Sequence, residues 1–98
     1  MAEAYHGTGD NTLIAQRGSP FGLYNVRGIP KGVRDDVVIV PCNNLTEVEA
    51  AFRTGNVACF IHHSNNLYAK EYLKGLRELT TQYGVVFIMD EVISGFRY

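Results

Sequence analysis

The chain has 98 residues, of which 46% are hydrophobic, and its formal net charge at pH 7 is −1. This length suits one small domain, and this apolar fraction argues against a disordered chain. A near-neutral charge without a basic run does not favour binding to nucleic acid or to an anionic membrane surface. We find no membrane-spanning run and no secretory signal, and therefore expect a cytoplasmic protein with two reduced thiols, Cys42 and Cys59.

The first third of the chain is rich in glycine and predicts mostly loop structure. Within residues 5–10, Gly7 and Gly9 could let backbone N–H groups approach an anion, although a plain turn is the commoner role of such a pair. Some helical character follows at residues 11–15. Residues 18–32 hold four glycines and two prolines, so we expect a long irregular loop there.

Three short apolar runs predict three β-strands, at residues 37–40, 57–61 and 85–89. Their β-branched and aromatic residues come without polar alternation, which is typical of strands buried on both faces of a parallel sheet. Two amphipathic helices are predicted between them. The first begins after Asn44, with Glu47 placed for a capping box, and stops at Gly55; the second runs from about Ala69 to Tyr83 and stops at Gly84.

The order β-α-β-α-β predicts an α/β fold whose three strands are parallel and whose helices pack on the sheet. The carboxyl ends of parallel strands meet at one edge, which would gather Pro41, the polar turn at residues 62–66, and Asp90. Ligands of open α/β sheets bind at that edge, so we expect any site there. A carboxylate at a strand end has two common roles, a cap on the following backbone or a ligand contact, and position alone leaves both open for Asp90.

Other chemistries find little support in the sequence. His62 and His63 are adjacent on a strand and should point to opposite faces, so they are not expected to share a metal ion. No metal-ligand spacing, phosphate-binding P-loop or G-x-S-x-G elbow occurs. We therefore predict no metal site, and packing roles for the two cysteines.

The end of the chain carries the most specific motif. Residues 90–97 are D-E-V-I-S-G-F-R, which resembles the D-E-V-x-x-G-F-R signature of class III aminotransferases, pyridoxal-phosphate enzymes of fold type I. Three further stretches are similar to that family in the same order: Tyr5-His6-Gly7, residues 35–45 and residues 75–84. Residues 35–45 resemble the aminomutase-like branch in particular.

The resemblance implies that residues 1–98 are one segment of the pyridoxal-phosphate-binding large domain, without an internal boundary, in a three-layer α/β/α architecture. In the family, the residue that matches Asp90 pairs with the protonated pyridine nitrogen, whose charged form a nearby carboxylate favours. The residues that match Val92 and Tyr5 lie against the two ring faces, and the one that matches His6 lies beside the ring. The implied reaction is amino-group transfer, by a transaminase or an aminomutase, on a small amino acid, amine or aldehyde. The implied assembly is a homodimer.

The same resemblance implies that parts of the enzyme are missing here. The family's Schiff-base lysine lies beyond the D-E-V strand, hence beyond Tyr98, and its phosphate-binding Gly-Ser/Thr turn would precede Met1. The chain has three lysines, Lys31, Lys70 and Lys74, and none of them matches that position. We therefore expect no catalytic residue in this chain and no activity from it alone. Residues 62–66 also replace the family's usual Glu-Pro and glycine-containing loop, with a shorter connection to the next helix.

Two alternatives stay open at this point. The chain could be a truncated, non-catalytic relative that acts as an interaction module, because exposed strand edges favour association. It could also be an unrelated small α/β ligand-binding domain that ends in an acidic strand tip.

Overall fold

The structure is a computed structural model that describes residues 6–7, 9–14, 28–64 and 69–97. The chain divides into two compact units, residues 1–39 and 40–98. Tyr5 and most of the predicted loop at residues 18–32 lie outside the described residues. That the whole chain is one segment without an internal boundary stays a prediction.

Among its described residues, the first unit contains two short helices, α1 (Asp10–Leu13) and α2 (Lys31–Asp35). The hydroxyl of Thr12 donates to the Gly9 carbonyl at 2.8 Å, which helps to fix the first turn of α1. Buried Ile14 and Ile29 form a small core against half-buried side chains of α2 and the residues after it. The predicted helical character near residue 11 is confirmed. The predicted loop, however, ends early, because α2 begins directly after Pro30, where a missing N–H removes no helical hydrogen bond.

The predicted first strand, residues 37–40, is not a strand. Val37 donates its N–H to the Arg34 carbonyl, which continues the turn that ends α2, and Val38 is largely exposed. Strand propensity reflects packing against neighbouring strands, and none of the described residues forms a strand that pairs with these residues. The prediction of three strands in sequence order is therefore wrong for the described residues.

In the part of the chain that the structure describes, the sheet has two parallel strands, β1 (Cys59–His63) and β2 (Val86–Asp90). Their register pairs Cys59 with Val86 at one end and His63 with Asp90 at the other. Parallel pairing of these two strands is confirmed. β1 begins and ends two residues later than predicted, so its last two residues are the histidines that the sequence assigned to a turn.

Two helices flank β1 in the second unit, α3 (Leu45–Arg53) and α4 (Lys70–Tyr83). As predicted, the Asn44 side chain caps α3 by accepting the Glu47 N–H, at 3.1 Å. Gly84 ends α4 with a φ of 67°, a conformation that glycine adopts without steric cost. The Val85 N–H then donates to the Thr80 carbonyl at 2.9 Å. This hydrogen bond helps to set the direction in which the chain leaves α4 and enters β2.

Both helices pack in one hydrophobic core, on one face of the sheet. Seven buried residues form it: Val40, Val48, Phe52, Phe60, Tyr72, Leu76 and Val85. Phe52 of α3 meets Phe60 of β1 edge-on, with ring centroids 5.9 Å apart, and Phe60 also packs on Phe87 of β2. Along β1 burial alternates, so Phe60 and His62 face the helices and the intervening residues face away.

On the opposite face of the sheet, the described residues leave side chains exposed that the sequence predicted to be buried. Val86 is 61% exposed and Ile88 is 39% exposed, although both were expected to be buried. The described part of the second unit therefore has one helical layer and one sheet layer, and its second helical layer, part of the predicted α/β/α architecture, is not seen. Among the described residues, no helix combines the length and the apolar character needed to cross a membrane.

Because the phenol of Tyr72 is buried, we predict that the free energy of unfolding depends on pH in the alkaline range. Burial, with a smaller contribution from Cys42, raises the pKa of Tyr72 above 10, so the folded state retains the phenol proton more strongly than the unfolded state. The stabilisation is fully present below pH 10 and is lost as the pH rises through the folded-state pKa. Tyr72→Phe should therefore flatten the fall in unfolding free energy above pH 10.

Urea unfolding at several pH values between 8 and about 11 measures this slope. Tyr83→Phe is the matched control, since it removes a different, half-buried phenol, whose hydroxyl is hydrogen-bonded to Glu49 and Arg53. Equal alkaline slopes in the wild-type chain and Tyr72→Phe would contradict the prediction.

Candidate functional site

Asp90 ends β2 and is half-buried. Its Oδ1 accepts the Val92 N–H at 3.1 Å, and its backbone carbonyl accepts the Ser64 N–H at 2.9 Å. The capping role that the sequence left open is therefore present. A carboxylate can accept about four hydrogen bonds, so a cap on one oxygen is compatible with a second role.

A tight turn follows Asp90 and contains the rest of the D-E-V-x-x-G-F-R motif. The Gly95 N–H donates to the Glu91 carbonyl at 2.7 Å, and the Arg97 N–H donates to the Ser94 carbonyl at 3.1 Å. A Cβ on Gly95 would lie 2.9 Å from the Glu91 carbonyl oxygen, closer than real Cβ contacts allow. The glycine of the motif is thus explained by this close backbone approach.

The turn that follows Asp90 exposes apolar side chains. Val92 is 92% exposed, Phe96 is fully exposed and Ile93 is more than half exposed. Ser94, in contrast, is buried. A short segment that carries both a carboxylate and accessible apolar side chains can contribute to a site for a ligand with a cationic group and a flat apolar surface.

The two histidines lie on opposite faces of β1, as their adjacency predicts. His62 is fully buried on the helix-covered face, with ring centroids 5.8 Å from Tyr72 and 6.4 Å from Phe60. His63 lies on the other face, in register with Asp90. No group of three or more metal-ligating side chains occurs in the part of the chain that the structure describes.

The edge of the sheet thus brings together fewer residues than the sequence placed there. Pro41 does not follow a strand, whereas His63 and Asp90 do meet at the carboxyl ends of β1 and β2. His6 is half-buried in the first unit, and Tyr5 lies outside the described residues. The cofactor contacts predicted for Tyr5, His6, Asp90 and Val92 stay predictions. The pairing of His63 with Asp90 was missed because β1 was predicted to end at residue 61.

Comparison with known proteins identifies relatives across nearly the whole chain. The glutamate-1-semialdehyde 2,1-aminomutase of Acidobacterium capsulatum is 39% identical over 104 residues, and that of Bacillus subtilis is 36% identical over 104 residues. The aminomutase of Sulfurihydrogenibium sp. is 36% identical over 103 residues. Each alignment covers 95% of this chain and 24% of the relative. This chain is homologous to the glutamate-1-semialdehyde 2,1-aminomutases.

The resemblance to class III aminotransferases, and to their aminomutase branch, is therefore confirmed. Homology across 95% of the chain also argues against an unrelated α/β domain. The chain spans about a quarter of the length of the aminomutases that it matches. No family model and no solved structure matches it. The alignment with the Acidobacterium aminomutase is longer than the 98-residue chain, so that relative carries residues that this chain lacks. The shorter connection after residues 62–66 stays a prediction.

The cap on Val92 can be separated from the charge of Asp90 by substitution. Asp90→Asn keeps a side-chain oxygen that can accept the Val92 N–H, whereas Asp90→Ala removes it. We expect Asp90→Ala to be less stable than Asp90→Asn by about 1 kcal/mol, the usual net value of one hydrogen bond. Urea unfolding of the two variants at pH 7 measures the difference. Equal stabilities would show that the cap contributes nothing.

Proposed function

We propose that this chain supplies part of the pyridoxal-phosphate site of a class III aminotransferase or aminomutase. The reaction would be amino-group transfer on a small amino acid, amine or aldehyde, in a homodimeric enzyme. The observation that carries the proposal is the position of Asp90 at the carboxyl end of β2, within the D-E-V turn, in a chain homologous to aminomutases.

The side chains at the end of β2 fit this cofactor in chemical type. The Asp90 carboxylate would hold the protonated pyridine nitrogen, because an adjacent negative charge favours the charged form of the ring. Val92 is accessible and β-branched, and would form a stiff wall against one ring face. By resemblance, Tyr5 would stack on the other face and His6 would lie beside the ring. When bound, the cofactor supplies the electron sink for bond changes at the substrate carbon.

The turn after β2 holds these groups in a fixed relation. The Val92 N–H orients the Asp90 carboxylate through its Oδ1, and the Gly95–Glu91 hydrogen bond closes the backbone behind Val92. Asp90 and Val92 are thus positioned by one short segment. A binding group that is held in place before the ligand arrives loses less conformational entropy on binding.

The isolated chain would not complete the reaction, since none of its lysines matches the family's Schiff-base position. Lys31 forms an ion pair with Asp35 on α2. The Nζ atom of Lys74 lies 3.8 Å from Oε1 of Glu78, and both side chains are exposed on α4. Both lysines are explained by exposed i,i+4 pairs on their own helices. Lys70 is in the first turn of α4 and is not part of the D-E-V motif.

A second candidate function is that of a non-catalytic interaction module. The exposed apolar side chains of Val86 and Ile88 on the open face of the sheet favour it, because contiguous exposed apolar surface commonly marks an interaction site. This candidate does not require the Asp90 carboxylate, so the two functions respond differently to its substitution.

The deciding experiment has two steps. The encoding DNA is first sequenced past the codon for Tyr98 and upstream of the codon for Met1, to define the complete reading frame. The protein that this frame encodes is then purified and titrated with pyridoxal phosphate, and visible absorbance reports binding. Asp90→Asn should weaken binding by at least about tenfold, because breaking a paired charge typically costs more than 2 kcal/mol.

Glu78→Gln, which removes one exposed negative charge on α4, is the matched control and should bind like the wild type. Unchanged binding in Asp90→Asn would contradict the proposed role of Asp90. A frame that ends at this chain, together with no binding and concentration-dependent self-association, would favour the interaction module.

A further inference from the structure

Three polar side chains meet near the C-terminal ends of α3 and α4. Glu49 and Arg53 belong to α3, and Tyr83 is the last residue of α4. The Tyr83 hydroxyl donates to Oε1 of Glu49 at 2.9 Å, and the same oxygen accepts an N–H of Arg53 at 3.1 Å. Nε of Arg53 donates to the Tyr83 hydroxyl oxygen at 3.3 Å. Each of the three side chains is therefore hydrogen-bonded to both of the others.

The ring of Tyr83 connects this cluster to the hydrophobic core. Its centroid lies 6.1 Å from that of Phe52, a buried residue of α3. Tyr83 thus packs its apolar ring against the core and places its hydroxyl at the half-exposed rim, so that one side chain supplies both apolar burial and a hydrogen bond. Because Tyr83 directly precedes Gly84, where the chain turns towards β2, contacts of its side chain help to fix the point at which α4 ends.

We propose that Glu49, Arg53 and Tyr83 form an acid-sensitive clamp that holds the C-terminal ends of α3 and α4 together. The clamp is closed while Glu49 is ionised, because a carboxylate is a stronger hydrogen-bond acceptor than a neutral carboxyl group. Protonation removes the charge that attracts Arg53 and converts one carboxyl oxygen into a donor. The end of α4 then loses a contact with α3. The clamp does not involve Asp90 and is independent of the function proposed above.

The pKa of Glu49 has the direction that this clamp requires. The hydrogen bond from Tyr83 lowers the pKa below 4.5, burial opposes this shift, and the hydrogen bond and charge of Arg53 add to it. A carboxyl whose pKa is lowered by folding contributes stability that is fully present above the unfolded-state pKa and is lost as the pH falls through the folded-state pKa. The clamp should therefore be closed at neutral pH and open below pH 4.5.

Tyr83 is the titratable side chain that α4 presents to Glu49. The other charged side chains of the two helices are exposed: Glu47, Lys70, Glu71, Lys74, Arg77 and Glu78. Tyr72, on the buried side of α4, lies about three helical turns before Tyr83 and contacts His62 of β1. Among the described residues, Tyr83 and Arg53 are the groups whose interactions shift the pKa of Glu49.

Nuclear magnetic resonance titration of the folded, isotope-labelled chain tests the charge that closes the clamp. The side-chain carboxyl resonance of Glu49 is assigned from its absence in Glu49→Gln. Tyr83→Phe should raise the pKa of Glu49 towards 4.5, and Arg53→Gln should raise it less, because the hydrogen bond from Tyr83 is the larger cause of the shift. A pKa of Glu49 that lies at 4.5 in the wild-type chain, or that Tyr83→Phe leaves unchanged, would overturn the inference.

Amide hydrogen exchange tests whether the clamp fixes the end of α4. The N–H groups of Gly84 and Val85 donate to the Thr81 and Thr80 carbonyls and close the last turn of this helix. In the wild-type chain their protection should fall as the pH drops below 4.5, and in Tyr83→Phe it should be reduced already at pH 7. Equal protection in the wild-type chain and Tyr83→Phe at pH 7 would show that the end of α4 does not depend on the clamp.

Urea unfolding supplies the matched control. Glu49→Gln should reduce the loss of unfolding free energy between pH 7 and about pH 3, whereas Glu78→Gln, which removes the negative charge of the exposed Lys74–Glu78 pair, should leave that loss close to the wild-type value. In a Tyr83→Phe background, Glu49→Gln should lose most of its effect, because the two side chains act through one hydrogen bond. Equal effects of Glu49→Gln and Glu78→Gln would contradict the clamp.

Discussion

The parallel register between β1 and β2 is the constraint on which the described site depends. A shift of one residue would exchange the two faces of a strand. His62 would then leave the aromatic core that it shares with Tyr72, and His63 would enter it. The core at one end and the Ser64–Asp90 hydrogen bond at the other hold the register in place. The same packing that stabilises the second unit thus determines which side chain stands next to Asp90.

The two roles that a strand-end carboxylate commonly plays turn out to be compatible at Asp90. Its Oδ1 caps the Val92 N–H, and this cap orients the carboxylate for a further partner. The motif as a whole follows the same logic. Its glycine permits the backbone to close at the Glu91 carbonyl, and this closure leaves Val92 and Phe96 accessible. A local structural requirement and a ligand-binding requirement can therefore select the same residues, which is why position alone could not separate them.

The sequence predicted best where local interactions decide the structure. The Asn44 cap, the Gly84 helix end and the extent of α4 each depend on residues within one or two helical turns, and each is confirmed. It failed where a distant partner decides. Residues 37–40 have strand composition, but no described strand pairs with them, and β1 extends through two histidines because β2 pairs with it that far. Histidine is a poor strand signal, yet ring packing on Phe60 and Tyr72 makes His62 part of the core.

The open face of the sheet shows what apolar composition could not predict about the surface near the candidate site. The apolar run at residues 85–89 was taken to indicate burial on both faces, and one face is exposed in the described residues. Apolar composition indicates that a surface requires cover but does not identify what covers it. The relatives are about four times as long as this chain, and the most specific motif of the resemblance, residues 90–97, begins at the carboxyl end of β2. Exposure of Val86 and Val92 is therefore as informative as burial would have been, because it identifies apolar surface that the described residues leave uncovered.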